Sequence, residues 1–166
     1  VITIAYTFRG NGLYDPYAGA GGHQPLGFDQ MTALYYHFLV TASEIEVIVT
    51  PETNISSVNV AIVPTRNATA PTHEYLAREM PLAKWGTCKK DVNMVHLKQK
   101  ATTQYILGRK IDDSRDSGTS AADPTEQWYW HVVVTAANAS YLDDTHVAVK
   151  MTYQTRFWER TQLAQS

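Results

Sequence analysis

Four long stretches rich in β-branched and aromatic residues constrain the fold of this chain most strongly: residues 35–50, 55–63, 127–137 and 145–160. In the first of them, Ile45, Val47 and Val49 alternate with Glu44 and Glu46, a period of two that is typical of a β-strand with one buried face. Turn and loop segments separate the stretches, and the regular alternation of strands with long helices is absent. The pattern therefore predicts an antiparallel sandwich or barrel rather than a parallel sheet.

The shorter segments complete this architecture. Residues 1–8, 82–90 and 92–107 read as further strands, with a bend at 101–103, and residues 28–34 and 73–79 read as short helices. Long loops and long terminal strands favour a jelly roll over a barrel with tight turns. We therefore predict one all-β domain over residues 1–166, a single jelly-roll β-sandwich of about eight antiparallel strands, with long inter-strand loops and one or two short helices.

The loop at residues 9–27 holds six of the nine glycines and two prolines. A loop this long usually carries function or a crossover that is specific to the fold. Gly19, Gly21 and Gly22 neither follow a strand closely nor open a long helix, which argues against a phosphate cradle. We interpret the loop as a crossover in which Pro25 fixes a turn and Asp29 caps the following helix.

Composition limits the possible partners. Fourteen Lys and Arg against sixteen Asp and Glu give a net charge of -2, without the basic excess of a nucleic-acid binder that relies on its surface field. The single cysteine, Cys88, excludes an internal disulfide and favours a reducing compartment. No apolar run approaches the length of a membrane span, so we expect no membrane role.

The sequence offers no catalytic constellation. None of the six histidines has the local spacing of zinc ligands, and neither a nucleophile elbow nor a Walker loop is present. His131 reads as a core or cross-strand residue and Cys88 as a structural one. We expect no enzyme activity, no cofactor and no metal.

The aromatic residues leave one alternative open. A sugar-binding platform on a β-sandwich would use exposed Trp and Tyr, whereas Trp128, Trp130 and Trp158 lie within strand patterns and favour a core role.

Residues 19–49 contain a more specific pattern, "GGHQPLGFDQ" followed by "LYYHFLV". It resembles a segment of the capsid proteins of circovirus-like, Rep-encoding circular single-stranded DNA viruses, and the closing pair of segments at 127–138 and 143–160 is similar as well. The motif residues, to which we assign a structural role, are His23, Gln24, Pro25, Gly27, Phe28, Asp29 and Gln30.

The resemblance implies a virion subunit, sixty copies of which form a small icosahedral shell around circular single-stranded DNA, with assembly in the host nucleus. It also implies a basic N-terminal arm, expected ahead of Val1, that neutralises most of the genome charge. Two alternatives stay open: the coat protein of a small RNA or satellite virus, and a carbohydrate-binding β-sandwich module.

Three expectations concern particular residues. Tyrosines of the long loops are candidates for subunit contacts, namely Tyr14, Tyr17 and Tyr75. Basic residues beside an aromatic ring are candidates for nucleic-acid contacts, namely Arg9, Lys98, Lys100, Tyr105, Arg109 and Lys110. Carboxylates that could repel one another, and so favour assembly at mildly acid pH or with calcium, are Glu44, Glu46, Asp112, Asp113 and Asp116.

Overall fold

The computed structural model describes residues 2–51, 57–89, 94–136 and 145–161. These form eight strands and four short helices: β1 (Ile2–Arg9), α1 (Phe28–Leu34), β2 (Tyr35–Pro51), β3 (Ser57–Thr65), α2 (Glu74–Arg78), β4 (Lys84–Lys89), β5 (Val95–Thr102), α3 (Thr103–Leu107), α4 (Asp113–Asp116), β6 (Ser117–Thr119), β7 (Tyr129–Ala136) and β8 (Thr145–Arg160). No helix of the described residues is long and apolar enough to cross a membrane.

The strands form two antiparallel sheets. The first has the order β1-β7-β3-β4. In the second, β2 is central: β8 pairs along one side of it, and β5 and β6 pair along the other. Every named strand pair is antiparallel, which confirms the predicted all-β architecture.

The core lies between the sheets and follows the period-two pattern of the sequence. Ile45, Val47 and Val49 of β2 are fully buried, as are alternate residues of β3 and β7. Trp128 and Trp130 are also completely buried, 5.6 Å apart between ring centroids. Their indole N–H groups donate to the Thr103 hydroxyl (3.1 Å) and the Ser43 hydroxyl (2.9 Å), so the buried polar atoms are satisfied. These two tryptophans belong to the core, as predicted.

Several segments differ from the sequence-based expectation. There are four short helices rather than one or two, since the bend at 101–103 opens into α3 and the polar loop at 110–126 contains α4 and β6. Asp29 does not cap α1: the N-cap is Gly27, whose φ of 84° is left-handed, and no side chain caps the helix. Glycine adopts this conformation without the steric cost that a Cβ would impose. Of the turn segments that separate the four predicted stretches, those at 51–54 and 138–144 lie outside the described residues except for Pro51.

Candidate assembly and nucleic-acid surfaces

An exposed aromatic surface covers the outer side of the first sheet. Helix α2 packs there through Ala77, which is buried against Ala61, Val63 and Val133 of β3 and β7. The next strand, β4, forms the edge of that sheet. We call the exposed residues at this place, together with the half-buried Arg78, the α2–β4 patch: Tyr75, Leu76, Arg78, Met80 and Trp85.

Local contacts fix the orientation of the α2–β4 patch. The Arg78 guanidinium lies 4.2 Å from the centroid of the Trp85 ring and 2.5 Å from the Glu74 carboxylate one helical turn earlier. Tyr75 is stacked on His73 with 5.2 Å between ring centroids. Trp85 and Tyr75 are each 54% exposed, so two large aromatic faces are presented in a fixed arrangement. Trp, Tyr and Arg are the residue types that dominate binding energy at protein interfaces.

The other two tyrosines predicted to make subunit contacts lie in the loop after β1. Tyr14 is exposed, and its backbone N–H donates to the Asp123 carboxylate at 2.9 Å. Tyr17 packs on Phe8 with 5.2 Å between ring centroids and lines a cleft beside β1. Burial raises the pKa of the Asp123 carboxyl, which is the principal anchor of this loop.

The motif residues occupy the end of the same loop. Phe28 is buried, and its ring meets Phe38 of β2 edge-on at 5.6 Å. His23 and Pro25 line the cleft beside β1, and Leu26 is fully exposed at the tip. Asp29 and Gln30 are exposed. The motif thus forms the end of the crossover, and Phe28 anchors it in the core; the structural role of the other motif residues stays a prediction.

Arg9 is separated from the other basic candidates. Its guanidinium lies 3.0 Å from the Asp15 carboxylate and 3.6 Å from that of Asp123, and it donates to Gln127 at 3.1 Å. These contacts hold the loop after β1 to the start of β7. The Arg9 guanidinium therefore pairs with side chains of the same chain.

Lys98 and Lys100 lie on the outer face of the second sheet. Lys98 is 2.9 Å from the Glu44 carboxylate, whose hydrogen bond raises the pKa of the lysine. Lys100 is exposed and forms no ion pair with the described residues. Thr102 follows on the same strand and lines a surface depression beyond the end of β5.

That depression has a volume of about 870 Å³ and is lined by the other three candidates, Tyr105, Arg109 and Lys110. Tyr105 is 60% exposed. Arg109, however, donates two hydrogen bonds of 2.8 Å to the fully buried Asp116 carboxylate. Tyr105 and Lys110 therefore remain exposed and outside this ion pair, while Arg109 forms part of the wall.

The structure also assembles residues that the sequence patterns missed. Glu46 pairs in register with Lys98 of β5 on one side and Lys150 of β8 on the other. Farther along, Trp158 is stacked on His37 at 5.4 Å, and the Arg156 guanidinium lies 5.0 Å from its ring centroid. Except for the Arg156–Trp158 contact within β8, these contacts join different strands, so spacing within one segment could not reveal them.

The carboxylates expected to repel one another each have a basic side chain within 4 Å in the same chain. The pairs are Glu44–Lys98 at 2.9 Å, Glu46–His96 at 2.7 Å, Asp112–Arg115 at 3.2 Å, Asp113–Arg156 at 2.5 Å and Asp116–Arg109 at 2.8 Å. These pairings lie within one chain, so the expectation that mildly acid pH or calcium stabilises the assembled shell at these positions stays a prediction.

The remaining candidate groups are structural. Cys88 is buried in the core, and burial raises the pKa of its thiol. His131 is also buried: the Thr7 hydroxyl lies 3.0 Å from Nδ1, and Nε2 lies 2.8 Å from the Asn67 carbonyl. Desolvation lowers the pKa of His131 and keeps it neutral.

Comparison with known proteins gives a fold and no family. No protein-family model matches the sequence, and no curated protein matches it. A chain of tobacco necrosis virus aligns with a TM-score of 0.53 and 10% identity, over 98% of this chain and 88% of that chain. A Penaeus vannamei nodavirus capsid protein deletion mutant, solved as a T=1 subviral particle, aligns with a TM-score of 0.50 and 4% identity, over 97% and 99% of the two chains. The two-sheet sandwich described above is accordingly a jelly roll, the fold it shares with these viral chains.

Proposed function

We propose that this chain is the subunit of a small icosahedral viral shell and has no catalytic activity. The α2–β4 patch carries the proposal, since a rigid exposed cluster of Trp, Tyr, Met and Arg has the composition of an interface centre. The jelly-roll fold supports it, because one of the similar structures is a capsid protein in a T=1 particle. A closed shell follows when one surface meets a different surface on the next copy and the rotation closes.

The proposed cargo is a circular single-stranded DNA genome. Support comes from the motif at residues 23–30, which resembles that of circovirus-like capsids. With a net charge of -2 the domain cannot neutralise a genome itself, so most of the affinity is assigned to a basic arm. Tyr105, Lys100 and Lys110 would add a weaker contribution, by stacking on bases and meeting phosphates.

Two experiments test these statements. Purified protein carrying a basic arm should form closed particles visible by electron microscopy, and the nucleic acid they protect should be digested by DNase rather than RNase after disruption. RNase-sensitive contents would instead favour the coat protein of a small RNA or satellite virus.

Single-stranded DNA binding over a salt series tests the division of labour. The 166-residue chain should bind weakly with a shallow salt dependence, and the form with an arm should bind tightly with a steep one. Equal affinity and slope for both forms would contradict it.

A carbohydrate-binding module is the competing function, because Trp85 and Tyr75 also offer exposed aromatic faces of the kind on which sugars stack. Glycan-array binding that is lost in Trp85→Ala, together with a monomeric protein, would favour that function over shell assembly.

A further inference from the structure

The sandwich is closed along one side and open along the other. On the closed side β4 meets β5 so tightly that a Cβ at Gly86 would lie 3.0 Å from a methyl carbon of Val95. On the open side the sheet edges are β1 and β8, and a cleft of about 400 Å³ lies between them.

The walls of this cleft are apolar surfaces that belong to the core. The loop after β1 lines part of the cleft, through residues that include Tyr17, His23 and Pro25. The strands contribute five apolar side chains: Tyr6 and Phe8 of β1, and Val147, Val149 and Met151 of β8. All five are only partly buried. Their neighbours on β2 in the same sheet layer, Val49, Val47 and Ile45, are fully buried. The inner side chains of β8 are therefore less buried than the inner side chains of β2.

The backbone at this side lacks partners as well. Strand β8 pairs with β2 along its length, and no other described strand pairs with its outer edge. Among the described residues, the outer edge of β1 is covered near its end, where the backbone N–H of Arg9 donates to the Pro16 carbonyl at 2.7 Å and that of Ala18 donates to the Thr7 carbonyl at 3.0 Å. Unpaired N–H and C=O groups along a strand edge are a template for another strand.

The two edges run in the same direction. The Trp130 indole donates to Ser43 of β2. The Trp128 indole donates to Thr103, whose hydroxyl donates to the Val40 carbonyl of β2. The step from Trp128 to Trp130 therefore matches the step from Val40 to Ser43, so the chain runs in the same direction at β7 and at β2. Strand β1 is antiparallel to β7, and β8 is antiparallel to β2. A single strand entering the cleft in the opposite direction would thus be antiparallel to both walls.

We propose that the cleft between β1 and β8 is an acceptor site for one extended polypeptide segment. The segment pairs with the outer edge of β8 in antiparallel orientation and places every second, apolar side chain against Tyr6, Phe8 and Val149. Only an extended peptide offers both backbone groups for the edge and apolar groups for the walls, whereas an apolar small molecule leaves the β8 backbone unpaired.

The test uses the 166-residue chain and a soluble probe peptide of alternating Val and Thr flanked by Lys. Binding is followed by fluorescence polarisation and its location by hydrogen exchange. With the peptide, we expect amide exchange within 145–153 to slow by about tenfold or more, because strand pairing protects the edge. A peptide with Pro at its centre should not bind.

Matched variants check the geometry. Val149→Lys places a charge in the cleft and should weaken binding by about tenfold, whereas Ala148→Lys, on the exposed opposite face of the same strand, should change it less than about twofold. Circular dichroism verifies folding, and Val147→Thr, a substitution of similar shape, should still weaken binding if Val149→Lys proves unstable.

Three results would overturn the proposal. The first is peptide binding without protection of β8. The second is an apolar dye that fills the cleft and competes with the peptide while β8 amides still exchange. The third is a concentration-dependent dimer that protects β8 without peptide, which would make the edge a contact between copies. Since none of these readouts involves particles, failure here is distinguishable from failure of the proposed function.

Discussion

At the scale of single residues, charge pairs join segments that are distant along the chain or in different elements. Asp116 shows this most clearly: it accepts from Arg109 and from the backbone N–H of Asp112 at 2.6 Å, while fully buried. Burial raises the pKa of this carboxyl, but the hydrogen bonds from Arg109 and Asp112 outweigh burial and leave the pKa lowered. The pair fixes the turn between α3 and β6, which shapes the depression at Tyr105.

Asp116→Asn should therefore lower the free energy of unfolding by about 2–3 kcal/mol, because a buried charge-assisted pair is broken. Asp112→Asn, at a half-exposed position, should lower it less, because that carboxylate is partly hydrated. Urea unfolding of both variants checks the difference. Equal losses would show that the Arg109–Asp116 pair does not hold this turn.

Acid should destabilise the folded chain. The pKa of Glu46 is lowered by its hydrogen bond from His96, and the pKa of Asp112 by those from Ser114, so their stabilisation is lost as pH falls below about 4 toward the folded values. His131 acts earlier: its lowered pKa means that the unfolded chain binds the proton first, so stability begins to fall as pH drops below about 6.5.

Thermal unfolding between pH 8 and pH 3 should thus show a midpoint that declines steadily on acidification. The decline between pH 7 and pH 5 should be smaller in His131→Gln. A midpoint that rises between pH 7 and pH 5 would contradict this assignment to His131.

At the scale of elements, the strands with alternating apolar residues could be predicted from the sequence, whereas the short elements that pack against them, such as β6, could not. Strand β6 has only three residues, and its place beside β2 depends on Gly118: a Cβ there would lie 2.3 Å from the Phe38 ring. A polar loop sequence carries no periodic signal for such a contact, because the partner ring lies in a different strand. Helix α1 likewise begins at Gly27 through backbone conformation rather than through the capping side chain that its sequence suggested.

Gly118→Ala should lower the free energy of unfolding by about 1–3 kcal/mol, since the added methyl group meets the buried Phe38 ring. Combining it with Phe38→Leu should cost less than the two single losses together, because the smaller side chain gives room. Chemical denaturation of the three variants provides the cycle. Strict additivity would mean that Gly118 and Phe38 do not constrain each other.

At the scale of the whole molecule, hydrophobic periodicity and the motif at 23–30 were enough to predict the sandwich. The surfaces were not predictable, because they depend on which strands become neighbours. The sequence places Trp85 in a strand but does not show that this strand, β4, lies at the sheet edge beside α2. The sequence likewise does not show that Arg9 forms ion pairs with Asp15 and Asp123.

Substitutions in the α2–β4 patch and in the depression at Tyr105 should impair different functions, assembly and nucleic-acid binding respectively. Trp85→Ala should abolish particle formation while changing the free energy of unfolding by less than about 1 kcal/mol, because the side chain is half exposed. Tyr105→Ala, at a similarly exposed ring, should preserve particles and weaken single-stranded DNA binding by a stacking contribution of about 1–3 kcal/mol. Light scattering and DNA titration of both variants check this, and a swapped pattern would reverse the assignment.

The shell itself is tested most directly by single-particle cryo-electron microscopy of the assembled protein. The account predicts an icosahedral reconstruction of sixty jelly-roll copies, about 1.1 MDa of protein if each copy contributes this 18.6 kDa chain, with the α2–β4 patch buried at a contact between copies. Protein that stays monomeric at high concentration across salt and pH, or particles in which Tyr75 and Trp85 remain exposed to solvent, would contradict it.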